Sequence, residues 1–417
     1  MKRSTVKEKK PAILYFGNDW FAENRTSSHH IARWLARGQR VYYIECPGLR
    51  APKKSGRDFK KIWAKLVRFF RGTQPVEQGL KVRTLLQLPF HRFAVVRRIN
   101  QALLVGTLRW LMWREGILRP LCWFMIPHLS SVVGQLDEEL SVYYCIDDYA
   151  ALPDVNPAAI QAMDEELTRK ADVVFVASDT LLGKKRVLNP NTHVSPHGVD
   201  FDHFARAQDE TTVIPAEVAR LPRPVIGFFG LIERWIDLEL VDFLAEQRLH
   251  WTFVMIGRIA VEDNQVPRRP NIHYLGKRTY QELPAYGKQF EVSIIPYRLT
   301  QQVLHANPIK LREYLAMGKP VVSVSTPEID KYADVVEIAH SREEFLARLD
   351  GIVNRPDSQE EVQRRMSRVA SESWDARLQT VMGIVNEQIS ASSSFSPGSC
   401  FGCESKDVVT SSSEKDS

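Results

Sequence analysis

Short apolar runs separated by amphipathic stretches recur along the chain, at the spacing of alternating strands and helices. Residues 12–16 are five apolar side chains ending at Gly17. That is the pattern of a strand buried on both faces that opens into a loop. A helix is predicted over 28–37, with Gly38 placed to end it, and a strand over 41–44. The series continues with a strand at 121–126, a helix near 129–136, a strand at 142–146, a helix over 157–170 and a strand at 173–176. Repeated βα units predict a parallel sheet with helices on its faces.

The alternation restarts after residues 203–222. Strands are predicted at 224–229, 252–256, 272–275, 291–296 and 320–324, with helices over 238–246 and 307–317. A chain of 417 residues suits two cores better than one. The expectation is therefore an α/β protein of two doubly wound, Rossmann-like domains facing a central cleft, with ligands at the carboxyl ends of the strands. The boundaries read as a basic tail 1–11, a first domain 12–205, a linker 206–222, a second domain 223–390, and a Ser-rich tail 391–417 expected to be disordered.

Composition fits a soluble globular protein, with 44% hydrophobic and 25% charged residues. No apolar run approaches the ~18 residues of a membrane span. The nearest, 103–125, contains Arg109, Arg114, Glu115, Arg119 and Pro120 and reads as a helix followed by a strand. Residues 1–10 are basic and polar without an apolar stretch behind them, so no secretory signal is expected. Five cysteines in a chain this long point to a reducing, cytoplasmic setting. Cys400 and Cys403 stand in the tail without a second ligand pair and read as incidental.

Charge is uneven. Residues 46–119 hold 17 Lys or Arg against Asp58, Glu77 and Glu115, a balance of +14 in a chain of net +6. Within this region Phe59, Ile62, Trp63, Leu66, Val67 and Phe70 fall at helical spacing, interleaved with Lys60, Lys61, Lys65, Arg68 and Arg71. A basic amphipathic helix of this kind lies in a membrane interface or packs its apolar face on the domain. The charge excess and a second Arg/Trp-bearing stretch at 97–114 favour an anionic membrane surface. No nucleic-acid-binding module is present, and no nucleic acid is expected as a partner.

The segment from Asn307 to Val322 carries candidate chemistry. Asn307 suits an N-cap and Pro308 the first helical position. Lys310 falls in the first turn, where free amides and the helix dipole favour an anion, and Glu313 follows on the same face. The pair could hold a diphosphate and a diol such as ribose; an ordinary surface helix with a Lys–Glu pair fits the same residues. Upstream, residues 142–146 run into Asp147 and Asp148 at a strand's carboxyl end, where a carboxylate could act as general base or cap the next helix. Asp19, His29, His30 and His128 are weaker candidates. Adjacent carboxylates would alternate faces on a strand, so no metal site is expected at Asp147–Asp148.

The second half resembles the donor-binding domain of GT-B glycosyltransferases, especially bacterial polysaccharide-assembly enzymes related to family 4. The resemblance rests on an ordered series: residues 225–237 (VIGFFGLIERWID), 253–257 (FVMIG), 271–276 (NIHYLG), 280–284 (YQELP), 293–297 (SIIPY) and 308–322. Residues 171–178 and Ser195-Pro-His-Gly-Val-Asp200 resemble the end of the acceptor domain. The likeness spans roughly residues 12–388. It implies a hexosyltransferase whose donor contacts include Gly230, Arg234, Pro308, Lys310 and Glu313. Asp148 is the preferred base, and no cofactor or metal is expected beyond the nucleotide-sugar donor as cosubstrate. It further implies a lipid-linked or polysaccharide acceptor in cell-envelope or exopolysaccharide synthesis, at the inner face of the cytoplasmic membrane. Many relatives carry two glutamates eight positions apart; Glu313 matches the second, and His305 stands at the first. The pattern Asn307-Pro308-x-Lys310 resembles the teichuronic-acid-type branch instead. A nucleotide-sugar epimerase of the same fold and a non-catalytic binder are the alternatives.

Overall fold

The computed structural model describes residues 10–21, 26–46, 65–85 and 94–394. Two parallel sheets organise them. The first orders its strands β3-β4-β2-β1-β5-β6-β7-β8. In chain order these are β1 (Ile13–Gly17), β2 (Val41–Glu45), β3 (Gln74–Glu77), β4 (Leu80–Thr84), β5 (Leu121–Phe124), β6 (Leu140–Cys145), β7 (Val173–Val176) and β8 (Thr192–Val194). Only β3 runs antiparallel to its neighbour. The second sheet orders β11-β10-β9-β12-β13-β14, built from β9 (Val225–Phe229), β10 (Thr252–Ile256), β11 (Ile272–Gly276), β12 (Val292–Ile295), β13 (Val321–Val324) and β14 (Glu337–Ala339). Strand order reverses beside β1 in the first sheet and beside β9 in the second. Such reversals leave a crevice at the carboxyl ends.

Helices cover both sheets, as continuous apolar strands require. Those used below are α1 (Ser27–Ala36), α2 (Ala94–Glu115), α3 (Pro157–Lys170), α4 (Asp179–Arg186), α5 (Leu238–Gln247), α6 (Gln301–His305), α7 (Ile309–Ala316) and α8 (Trp374–Ser394). Among the described residues no helix is long and apolar enough to cross a membrane.

Several expectations change. The helix near 129–136 is instead a 3-10 turn, Pro127–Val132, ended where Gly134 adopts a φ of +80°. The β3–β4 hairpin was not foreseen, because its edge position leaves polar residues in the strands: Lys81 and Arg83 alternate with Leu80 and Val82. The tail from 391 was expected to be disordered, yet α8 continues to Ser394.

Residues 374–390 were assigned to the second domain. In the structure Trp374, Leu378, Val381 and Val385 of α8 pack in the first domain's core with Ile13, Tyr15, Trp123 and Tyr144. Their spacing places them on one helix face. The two chain crossings between domains run side by side: Val199 N donates to Glu372 O at 2.9 Å, and Trp374 N to Val199 O at 3.3 Å. Gly198 permits this approach, since a Cβ there would lie 2.6 Å from the Trp374 backbone. Of the basic amphipathic stretch 59–71, Lys65–Phe70 is helical and residues 59–64, Trp63 included, lie outside the described residues. So do Cys400 and Cys403.

Candidate active site

β9 delivers Gly230 to the crevice with a φ of +157°, and β10 delivers Gly257 with a φ of +149°. A Cβ on Gly257 would fall 1.7 Å from the Gly230 carbonyl oxygen. Glycine at both positions therefore lets the two strand-end turns pack backbone to backbone. A Cβ on Gly230 would meet Lys310 Cε at 3.5 Å, so the Lys310 side chain reaches this turn. Its Nζ lies 4.9 Å from the Phe229 ring centroid and donates to Glu313 Oε2 at 2.8 Å. Tyr314 anchors the helix, its hydroxyl accepting from Phe229 N at 3.0 Å.

Glu313 is buried, and desolvation raises its pKa above the usual carboxylate value against the pull of Lys310. At one helix start, then, an ammonium and free amides sit over a glycine turn, with a buried carboxylate one turn deeper. Amides and cation suit a diphosphate, and the carboxylate suits a pair of hydroxyls.

The start of α7 differs from expectation. Pro308 itself is the N-cap, and Asn307 does not cap. Its side chain is drawn into a buried network instead: Nδ2 donates to Glu328 Oε2 at 2.6 Å, and Oδ1 accepts from Arg312 Nη1 at 2.7 Å. Arg312 in turn donates to Glu372 at 2.6 Å, tying α7 to the chain crossing. Arg234 is exposed, with its Nη1 4.0 Å from Asp154 Oδ1 of the first domain. It spans the cleft.

The first domain supplies Asp147 and Asp148 after β6. Burial favours protonation of Asp148, but Lys184 of α4 at 2.8 Å and the His305 imidazole at 2.9 Å outweigh it and hold its pKa below the usual value. A carboxylate so partnered is a weak proton acceptor. Asp147 has the opposite environment: desolvation pushes its pKa up to about 6, with Oδ1 accepting from Asp148 N at 2.9 Å and Gln302 of α6 at 3.5 Å from Oδ2. The pair thus splits into one carboxylate that its partners hold as an anion, Asp148, and one that takes up a proton more readily, Asp147.

His305, at the position of the absent glutamate, joins the two domains. Its Nδ1 meets Asp148, and its carbonyl accepts from Ser178 Oγ at 2.8 Å. Lys184 and Gln302 were not foreseen, since nothing in sequence spacing links them to Asp148 and Asp147. Glu45 also escaped notice. It is buried at the end of β2, accepts from Trp20 N at 2.9 Å and from Thr84, and lies 3.7 Å from Arg68, which reaches Asp19 at 3.3 Å. A lone charge closing an otherwise apolar strand was its signal. His29 serves in the cap of α1, receiving the Thr26 amide at 3.1 Å; His30 stacks on Trp374 with ring centroids 5.3 Å apart. His128 lies in the 3-10 turn after β5.

Residues 219–370 match the family described as Glycosyl transferases group 1. Over 412 residues the chain is 24% identical to TuaH of Bacillus subtilis strain 168, named for a glycosyltransferase role in teichuronic acid biosynthesis, covering 90% of this chain and 98% of that protein. Among solved structures, sucrose-phosphate synthase from Thermosynechococcus elongatus superposes with a TM-score of 0.66 at 14% identity, covering 92% of this chain and all of that one. Anabaena HepE in complex with UDP gives 0.61 at 12% identity, covering 90% and 100%. The fold, the matched second domain and the full-length likeness agree with the crevice chemistry: the chain is a GT-B glycosyltransferase resembling the teichuronic-acid-type branch of bacterial polysaccharide-assembly enzymes.

Proposed function

We propose that the chain transfers a sugar from a nucleotide-sugar donor, held by the second domain, to a hydroxyl of a lipid-linked or polysaccharide acceptor held by the first. The observation that carries this reading is Lys310 at the start of α7, reaching the Gly230 turn with Glu313 buried beneath it. In the reaction the acceptor oxygen bonds to the anomeric carbon as its proton passes to Asp147. The bond between the anomeric carbon and the phosphate oxygen breaks, and the nucleoside diphosphate leaves with that oxygen, its charge against Lys310 and the helix amides. That charge is met without a metal or other cofactor. Gly230 lets the diphosphate approach the backbone, Pro308 fixes the first turn, Glu313 accepts from the ribose hydroxyls, and Arg234 closes from the rim.

TuaH's name supports a cell-envelope polymer as the destination, and the UDP bound to HepE makes uridine the first nucleotide to try. The basic first-domain face, with exposed Phe70, Trp110 and Trp113, suits the anionic inner surface of the cytoplasmic membrane. The test is a nucleotide-sugar panel read by thermal shift, followed by donor consumption with and without membrane lipid extract. A cognate donor raises Tm by mass action, and turnover requires the extract. Turnover without any acceptor indicates the epimerase reading, and binding without turnover indicates a binder. No shift with any nucleotide refutes the site.

A further inference from the structure

α2 is apolar on two faces. Leu104, Leu108 and Leu111 enter the core, while Ile99, Leu103, Trp110 and Trp113 form an exposed stripe, with Trp113 80% exposed. Beside this stripe lies an open cavity of about 470 Å³, lined by Arg83, Ala102, Leu103, Gly106, Thr107 and Trp110. Among the described residues its walls are apolar apart from Thr107 and Arg83. Arg83 of β4, the one charged residue among them, is only 7% exposed.

No carboxylate pairs with Arg83 among the described residues, and its Nε has no hydrogen-bond partner. The guanidinium is flanked by rings instead, with its carbon 5.1 Å from the Phe69 centroid and 5.9 Å from that of Trp110. The neighbouring charge that acts on it is another cation, Arg114, which sits 5.3 Å from the same Trp110 ring. A buried charge without a counter-ion is costly, and two cations converging on one indole leave a place for an anion. Phe70, 80% exposed, sits edge-on to Phe69 with ring centroids 5.5 Å apart.

We propose that this cavity is a binding site for the phosphate headgroup of a membrane lipid, seated on Arg83 with Arg114 at the rim, while its chain lies along Leu103, Trp110 and Trp113. The guanidinium fork matches phosphate oxygens bidentately. The apolar walls explain why the ligand is a lipid rather than free phosphate, which would gain nothing from them. This rests on the reading that the first domain meets the membrane, and it adds a defined site to a diffuse attraction.

The experiment is vesicle flotation of the full chain on phosphatidylcholine alone and with phosphatidic acid, whose small headgroup leaves the phosphate accessible. Wild type is compared with Arg83→Met, Gly106→Leu and Trp113→Glu, and inorganic phosphate is tested separately by thermal shift. Gly106→Leu fills the cavity and keeps every charge; a Cβ there meets nothing within 4 Å. Arg83→Met removes an unpaired charge and is expected to keep or raise Tm.

Both cavity variants should bind phosphatidic acid vesicles about tenfold more weakly, the loss of one charge-assisted contact. Their thermal shift with nucleotide should be unchanged. Wild-type binding by both, with loss only in Trp113→Glu, overturns the site and leaves the membrane reading standing. Stabilisation of wild type but not Arg83→Met by millimolar phosphate, with vesicle binding unchanged, overturns the lipid assignment. Failure of wild type to float with any vesicle overturns the membrane reading as well.

Discussion

Asp147→Asn should stabilise the protein at neutral pH while removing most of its turnover. In the folded chain desolvation lifts the Asp147 pKa from 3.8 to about 6. At ~1.36 kcal/mol per unit, ionised Asp147 carries a penalty on the order of 3 kcal/mol, an upper figure because the side chain is partly exposed. The sign follows from proton counts. Between the two pKa values the folded state binds more protons than the unfolded one, so stability falls as pH rises through about 6.

Asparagine keeps an oxygen for the Asp148 amide and carries no charge. The Tm advantage of the variant should therefore be near zero at pH 4 and grow to several degrees by pH 7.5, at roughly 2–4 °C per kcal/mol. Other raised carboxylates, Glu313 and Glu45 among them, act equally in both proteins and cancel in the difference. Turnover should fall by ~10²–10⁴, the usual contribution of a general base, and the wild-type rate should rise with pH through about 6. The assays are calorimetric or dye-based melting against pH, and donor turnover with the nucleotide sugar found by the panel. A Tm difference that does not change with pH refutes the desolvation argument, and retained turnover refutes Asp147 as the base.

Asp148→Asn should cost about 1 kcal/mol through loss of its Lys184 partner and lower turnover far less than Asp147→Asn; the reverse ranking in kcat would restore Asp148 as base. Lys310→Ala should weaken nucleoside diphosphate binding by roughly 10- to 150-fold, the loss of one charge-assisted contact of about 1.5–3 kcal/mol; calorimetric titration with UDP measures it, and an unchanged Kd removes Lys310 from the site. Glu313→Gln should bind nucleoside more weakly yet melt no lower at pH 7.5, because it removes a buried carboxylate whose raised pKa costs stability as pH rises above 4.5; a large Tm loss would contradict this. Gly257→Ala forces a Cβ against the Gly230 carbonyl at a strained φ and should destabilise by about 2–5 kcal/mol, with loss of donor binding; denaturant unfolding reads the first and thermal shift the second.

The central strands were legible in the sequence because burial on both faces makes them unbroken apolar runs. Residues 224–229 and 252–256 were expected as strands, and β9 and β10 fall there within a residue. α3 matches its expected bounds because Asn156 and Pro157 mark its start and the helix is followed directly by a buried strand. The hairpin at the sheet's edge was not legible, since β3 and the neighbouring β4 carry Glu77, Lys81 and Arg83 like any loop. In the site, Lys310 and Glu313 share one helix, so spacing alone relates them. Asp147, Lys184, Gln302 and His305 come from two domains, and only the fold brings them together. The choice between Asp147 and Asp148 depends on those partners. Asn307 misled for a similar reason: its capping chemistry was outcompeted by Arg312 and Glu328, which reach it from other turns.

The paired crossings at Val199 and Ser373 have an evolutionary consequence. The chain leaves the first domain and returns to it at one point, so the second domain is in topology an insertion, enclosed by the first domain and its terminal helix α8. A splice at that point would leave the first domain's core complete, because α8 supplies its own share of it. On the proposed division of labour, recombination with breakpoints near residues 199 and 373 would exchange the donor-binding half as one cassette and keep the first domain's core, provided the incoming half also supplies partners for Asp147 and Asp148 where Gln302 and His305 now stand. Under that proposal, donor and acceptor preference would diverge separately wherever those cross-cleft partners are kept.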